Sequence, residues 1–157
     1  MQVKTILQQK GGGVVTIRVG QTVHDAIRTL NEHGIGALIV VEANGRISGI
    51  VTERDILYEC GERCAHLTQG EDERRPSCPA LVDDIMTRDV IIGLPDDELS
   101  YVMGVMTKNK IRHLPILDEG GLVGIISIGD VVNAHVKEAD FENRMLREYV
   151  QGAPEQA

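Results

Sequence analysis

Apolar positions along this chain follow two periodicities, and they alternate in the same order twice. Val23, Ala26, Ile27 and Leu30 recur at i, i+3, i+4 and i+7, the stripe of an amphipathic helix. Thr22 and Asp25 form a capping pair ahead of that helix, and Gly34 is a natural stop after it. Ala37–Glu42 is short, apolar and β-branched, as a buried strand should be, and Asn44-Gly45 supplies a tight turn into a second strand, Ile47–Thr52. Glu53–Cys60 begins another helix, with Ile56 and Leu57 facing inward. Further on, Leu99, Val102, Met103 and Met106 make the same helical stripe. His113–Leu117 and Leu122–Ser127 make the same hairpin around Glu119-Gly120-Gly121, and Gly129–Val136 starts the same closing helix. Short apolar segments, Val14–Val19 and Val90–Leu94, lead into the two stripes. Each unit therefore reads strand, helix, strand, strand, helix.

These matches are a duplication. Thr22 aligns with Glu98, Ile35 with Ile111 and Glu42 with Asp118 at one fixed offset. One residue is lost in the turn, after which Gly49 aligns with Gly124, Thr52 with Ser127 and Asp55 with Asp130. The predicted organisation is a first repeat over residues 1–60, a connector over 61–79, a second repeat over 80–136, and a C-terminal helix and tail over 137–157. At 157 residues neither repeat alone buries much apolar surface, so the expectation is an α/β (α+β) fold in which the two pack as a pseudo-two-fold pair. Such a pair creates related clefts at its seam. The connector is polar and reads as a solvated loop with a frayed helical end. In the tail, Phe141, Met145, Leu146, Tyr149 and Val150 fall on one helical face, which predicts docking onto the body or onto another subunit.

Composition narrows the function. Aromatic residues make up 3% with no Trp, so the core must be built from Ile, Val, Leu, Met and Ala. A net charge of −8, with Lys and Arg scattered, argues against nucleic acid as a partner. No stretch approaches the roughly 18 apolar residues that cross a bilayer. The N-terminus has no extended apolar region of the signal type, so a cytoplasmic location is expected. Cys60, Cys64 and Cys78 are an odd count in a cytosolic-looking chain, which argues against a disulfide framework, and with His66 they match no common zinc spacing. No metal site and no obligatory cofactor are expected.

A catalytic constellation is missing too. None of the histidines at 24, 33, 66, 113 and 135 stands beside a Ser or Cys nucleophile in a recognisable motif, and neither glycine-rich phosphate-loop fingerprint is present. Gly11-Gly12-Gly13 reads as a loop, and Asp83-Asp84 and Asp96-Asp97 read as helix-start carboxylates that complement the dipole. The informative positions are Thr52-Glu53-Arg54-Asp55 and Ser127-Ile128-Gly129-Asp130, each following an apolar strand and opening a helix. A hydroxyl residue three before a carboxylate is a capping box. The same place also suits an anion, held by the hydroxyl and the free N–H groups of the helix start, with a carboxylate beyond that accepts ribose hydroxyls.

The chain resembles a pair of cystathionine-β-synthase (CBS) domains, a Bateman module. The resemblance rests on the Val82-x-x-Ile85-Met86-Thr87 lead-in, the Ile111-Arg112-His113-Leu114-Pro115-Ile116 strand, and Gly followed by two apolar residues and [ST]-x-x-Asp in both repeats. It implies a regulatory, non-catalytic module that binds an adenine nucleotide (AMP before NAD, ADP or ATP) in clefts between the repeats, and that forms a homodimer and signals to a separate effector protein. By resemblance Asp55 and Asp130 hold ribose hydroxyls, and Thr52 and Ser127 contact phosphate. Arg54 neutralises phosphate, and Arg112 and His113 match a basic pair that faces phosphates. Gly36 and Ala37 are small enough to admit an adenine, and Thr16 and Ile17 border the base, with Ile92 and Gly93 as their counterparts. The alternatives are structural: a core imidazole at His113, tight helix-to-strand packing at Gly36 and Ala37, and capping alone at the two boxes. On that reading the chain is a ligand-independent interaction or dimerisation module. The repeats differ where Glu53-Arg54 faces Ile128-Gly129 and where Gly36-Ala37 faces Arg112-His113, so two unlike clefts are expected. Inosine-monophosphate dehydrogenases also carry CBS pairs, but this chain lacks the residues a barrel requires.

Overall fold

A computed structural model describes residues 1–11, 13–67 and 80–151, and for residues 63–67 and 151 the backbone only. Cys78 lies outside the described residues, as do the side chains of Cys64 and His66. The chain divides into two compact units, one of residues 14–91 and one of residues 1–13 with residue 92 onward.

The first unit contains β1 (Thr16–Arg18), α2 (Val23–His33), β2 (Ala37–Val41), β3 (Ile47–Thr52), α3 (Glu53–Leu67) and α4 (Val82–Ile85). The second contains α1 (Val3–Lys10), α5 (Leu99–Asn109), β4 (His113–Asp118), β5 (Gly121–Ser127) and α6 (Ile128–Gln151). In the first unit β1 runs parallel to β2, and β2 pairs antiparallel with β3. In the second unit β4 and β5 form an antiparallel pair. The strand expected over Val90–Leu94 is reduced to one bridge, Gly93 beside Ile116. Gly93 stands at the pseudo-equivalent of Ile17, and a Cβ there would lie 2.9 Å from both Ile116 and Leu114.

The two cores use matching positions. Val23, Ala26, Leu30, Leu38, Val40, Val51 and Ile56 are buried in the first unit; Leu99, Val102, Met106, Leu114, Ile116, Ile126 and Val131 are buried in the second. The match extends to the preceding helices. Leu81 bridges Thr22 ahead of α2, and Gln2 bridges Glu98 ahead of α5. Val82 and Val3 follow these bridges and are fully buried. The segment just before each repeat in sequence therefore belongs to the unit built around the other repeat.

Helix α2 opens with a reciprocal box, Thr22 accepting from the Asp25 N–H and Asp25 accepting from the Thr22 N–H, and closes on Gly34 in the left-handed region. Its counterpart α5 closes on Lys110 in the same conformation, at φ 55°. Four expectations need correction. Residues 3–10 form a helix where none was expected, and α3 continues through Leu67, further into the connector than the frayed helical end expected there. Leu57 is 72% exposed, because α3 turns Ile56 and Cys60 to the core instead. The tail continues α6, and Phe141, Met145, Leu146, Tyr149 and Val150 are all exposed, so the expected docking onto the body is not seen.

Candidate functional site

Each unit builds one copy of the same local construction. Ala37, at the start of β2, is paired across the sheet with Thr52, at the end of β3. His113, at the start of β4, is paired with Ser127, at the end of β5. The carbonyl of Gly36 accepts the first helical N–H of α3, from Glu53, and the carbonyl of Arg112 accepts that of α6, from Ile128. Sheet register thus brings Gly36-Ala37 to Thr52-Asp55, and Arg112-His113 to Ser127-Asp130, across gaps of more than ten residues in sequence.

The boxes are closed. Oδ2 of Asp55 accepts from the Thr52 N–H at 2.8 Å and the Thr52 hydroxyl at 2.7 Å, while the Asp55 N–H donates to that hydroxyl at 3.4 Å. Oδ2 of Asp130 accepts from the Ser127 N–H and hydroxyl, both at 2.8 Å, and the Asp130 N–H donates back at 3.2 Å. Of the four orphan N–H groups at each helix start, three are therefore taken, and among the described residues no partner outside the helix takes those of Arg54 and Gly129. Both bonds to each carboxylate from its box end on one oxygen, so Oδ1 faces no donor among the described residues. An ionised carboxyl has about four lone-pair sites, and roughly half remain for a second pair of donors.

The copies differ in charge. Arg54 and Arg112 are exposed, and His113 is half-buried. Lys10, at the end of α1, donates to Asp130 Oδ2 at 2.7 Å and to the Ile125 carbonyl at 3.1 Å. Burial pushes the Asp130 carboxyl up, but Lys10 and the two Ser127 donors outweigh it and hold the group below its ordinary value. Asp55 has no cation bonded to it among the described residues. Of the remaining sequence candidates, Thr16 is exposed on β1, whereas the Ile17 side chain lies in the core, 3% exposed. No group of His, Cys, Asp and Glu among the described residues is placed to hold a metal ion. No described helix is long and apolar enough to cross a membrane.

Two copies of a helix–hairpin–helix unit, each with a hydroxyl–carboxylate box at the hairpin exit, define a tandem repeat class, and the class has a family. The CBS domain matches residues 11–62 and again 82–137, and the chain belongs to the CBS-domain family. Among relatives, the mitochondrial CBS domain-containing protein CBSX3 of Arabidopsis thaliana is 35% identical, over 96% of this chain and 72% of its own. The crystal structure of the CBS-domain protein ATU1752 from Agrobacterium tumefaciens is 36% identical, with a TM-score of 0.76 over 85% of this chain and 92% of that one. The CBS domain pair of MJ0100, in complex with 5′-methylthioadenosine and S-adenosyl-L-methionine, is 25% identical, with a TM-score of 0.70 over 86% and 99% of the two chains. An inosine-5′-monophosphate dehydrogenase of Nitrosopumilus maritimus is 28% identical, and the match takes in 26% of that enzyme.

Proposed function

We propose that this CBS-domain pair is a regulatory, non-catalytic module that binds an adenosyl compound, an adenine nucleotide such as AMP before ADP, ATP or NAD, at its two [ST]-x-x-Asp half-sites. The observation that carries the reading is the duplication of a polar construction, with an acceptor oxygen to spare, at the same strand–helix junction of both units. Core packing explains why apolar positions repeat. It does not require a carboxylate and a small or basic partner to repeat with them.

In this reading Asp55 and Asp130 take the ribose hydroxyls, and charge-assisted bonds of this kind contribute roughly 1.5–3 kcal/mol. Thr52 and Ser127 hold the carboxylates in place and present the helix start to phosphate. Arg54, Arg112 and His113 supply positive charge to it, and Gly36, Ala37 and Thr16 border the base, with Ile17 lending only its backbone. The two adenosyl ligands of MJ0100 support the ligand class. The module acts in the cytoplasm as a homodimer through exposed apolar helix faces, and it passes its signal to a separate effector protein.

A second reading, a ligand-independent interaction module, is favoured by one observation. Thr22 and Asp25 form the same closed box at the start of α2, where nothing else suggests a ligand. A thermal-shift panel of AMP, ADP, ATP, NAD and S-adenosylmethionine separates the two. A ligand at about 100 times its dissociation constant adds roughly 2.7 kcal/mol, or about 5–11 °C for a chain of this size. Melting unmoved by every compound at millimolar concentration would leave the second reading standing.

A further inference from the structure

Lys10 has a place in the second unit that no described residue of the first unit fills. The bridges Gln2–Glu98 and Leu81–Thr22 align α1 with α4, which sets Lys10 against Asp89, an exposed carboxylate. Helix α1 runs a full turn further than α4 and delivers an ammonium to the carboxylate that ends the Ser127 box. The Lys10 side chain is 41% exposed and that of Asp130 is 23% exposed. The two line a groove of about 160 Å³ between α1 and α6, together with Asn133 and Lys137. That volume is below the roughly 300 Å³ at which small-molecule pockets begin. Just past Lys10 the chain turns at Gly11, with φ 77°, where a side chain would be strained.

Resting on the ribose role proposed above, we propose that Lys10 is the residue that makes the two half-sites unequal, an internal cation that competes with the ligand for Asp130. Oδ2 of Asp130 accepts three donors where Oδ2 of Asp55 accepts two, so its negative charge is already partly spent when a ribose arrives. A neutralised carboxylate is the poorer acceptor for hydroxyls. A ribose that spans both carboxylate oxygens takes the open Oδ1 with one hydroxyl and must draw Lys10 from Oδ2 with the other, and release of Lys10 frees the last turn of α1. Binding at this half-site is thereby coupled to the segment that leads into the first repeat, whereas binding at Asp55 is not.

The test is calorimetric titration with AMP and with adenosine in an Asp55→Asn background, where Asp130 is the remaining carboxylate, with and without Lys10→Gln. Lys10→Gln should tighten adenosine binding about fivefold, the fold-change of a partly exposed ion pair of about 1 kcal/mol. Adenosine should also speed tryptic cleavage after Lys10 in the chain that keeps it. Unchanged adenosine affinity overturns the proposal. So does weaker AMP binding with adenosine unaffected, because Lys10 would then be a phosphate ligand. If neither compound binds the unsubstituted protein or any variant, the ribose reading itself fails and takes this proposal with it. Binding to the unsubstituted protein with no gain from Lys10→Gln refutes this proposal alone.

Discussion

Gly49→Ala is the sharpest test of how the lead-in segments lock onto their units. Gly49 is buried in β3 opposite Val40. A Cβ there would stand 2.6 Å from the Met86 sulfur, 2.8 Å from its Cγ and 2.8 Å from the Thr87 carbonyl oxygen. The thioether can swing aside. The carbonyl cannot, because Thr87 exchanges two backbone hydrogen bonds with Ile50, at 3.0 and 2.9 Å. Overpacking of this kind costs about 1–3 kcal/mol. Against it stands a gain of about 0.4–1 kcal/mol from reduced freedom of the unfolded chain, so the expected net loss is about 1–2 kcal/mol. The pseudo-equivalent Gly124→Ala meets only the end of the Leu7 side chain. It should cost well under half as much. Urea unfolding of both variants and of Gly49→Ala/Met86→Ala measures the difference. Met86→Ala should rescue only part of the loss, because the Thr87 carbonyl stays in place. Gly49→Ala as stable as Gly124→Ala, or full rescue by Met86→Ala, would refute the reasoning.

Further expectations concern caps, charge and association. Lys110 closes α5 in the left-handed region where Gly34 closes α2, so Lys110→Gly should raise stability by about 0.5–1 kcal/mol in the same urea assay. The folded Asp130 carboxyl lies below the ordinary carboxylate value, so its contribution is complete above that value and is lost as pH falls through the lower folded one. Asp130→Asn should therefore remove stability at neutral pH and flatten the acid limb of the stability profile below the ordinary carboxylate value of about 4; a limb unchanged by the substitution would refute the assignment. Phe141, Met145 and Tyr149 lie exposed on one stripe of α6, and replacing all three with Ser should weaken self-association. Light scattering of the unsubstituted protein that gives a monomer of 17.2 kDa throughout the micromolar range would remove the homodimer from the account.

The duplication was legible because hairpin and helix periodicities are local, and both hairpins fall within a residue of their expected ends. The pairing of Ala37 with Thr52 and of His113 with Ser127 follows from those hairpins once the turns are placed. Partnership at longer range was not legible. Val3 and Ile6 are a helix's buried face, but they find their core some 90 residues further along the chain, and no periodicity names a distant partner. Lys10 was missed as a site residue for the same reason: a lone lysine before three glycines carries no signal of the carboxylate it meets. Leu57 was assigned inward because two adjacent apolar residues satisfy a helical stripe equally, and only the neighbouring sheet decides between them. The box geometry sharpened the chemistry, since the N–H groups expected to be free at each helix start are mostly consumed, by the boxes and by the Gly36 and Arg112 carbonyls.

The central claim is that the duplicated boxes are half-sites for an adenosyl ligand, and the direct measurement is calorimetric titration of AMP into the unsubstituted protein, Asp55→Asn, Asp130→Asn and the double variant. Each substitution keeps a side-chain oxygen beside its hydroxyl and removes the charge that ribose hydroxyls would meet, a difference of about 1.5 kcal/mol or more for bonds to a charged group. The account predicts that each single variant weakens one binding phase at least tenfold and leaves the other in place, and that the double variant loses both. AMP binding of unchanged affinity and stoichiometry in the double variant would contradict it.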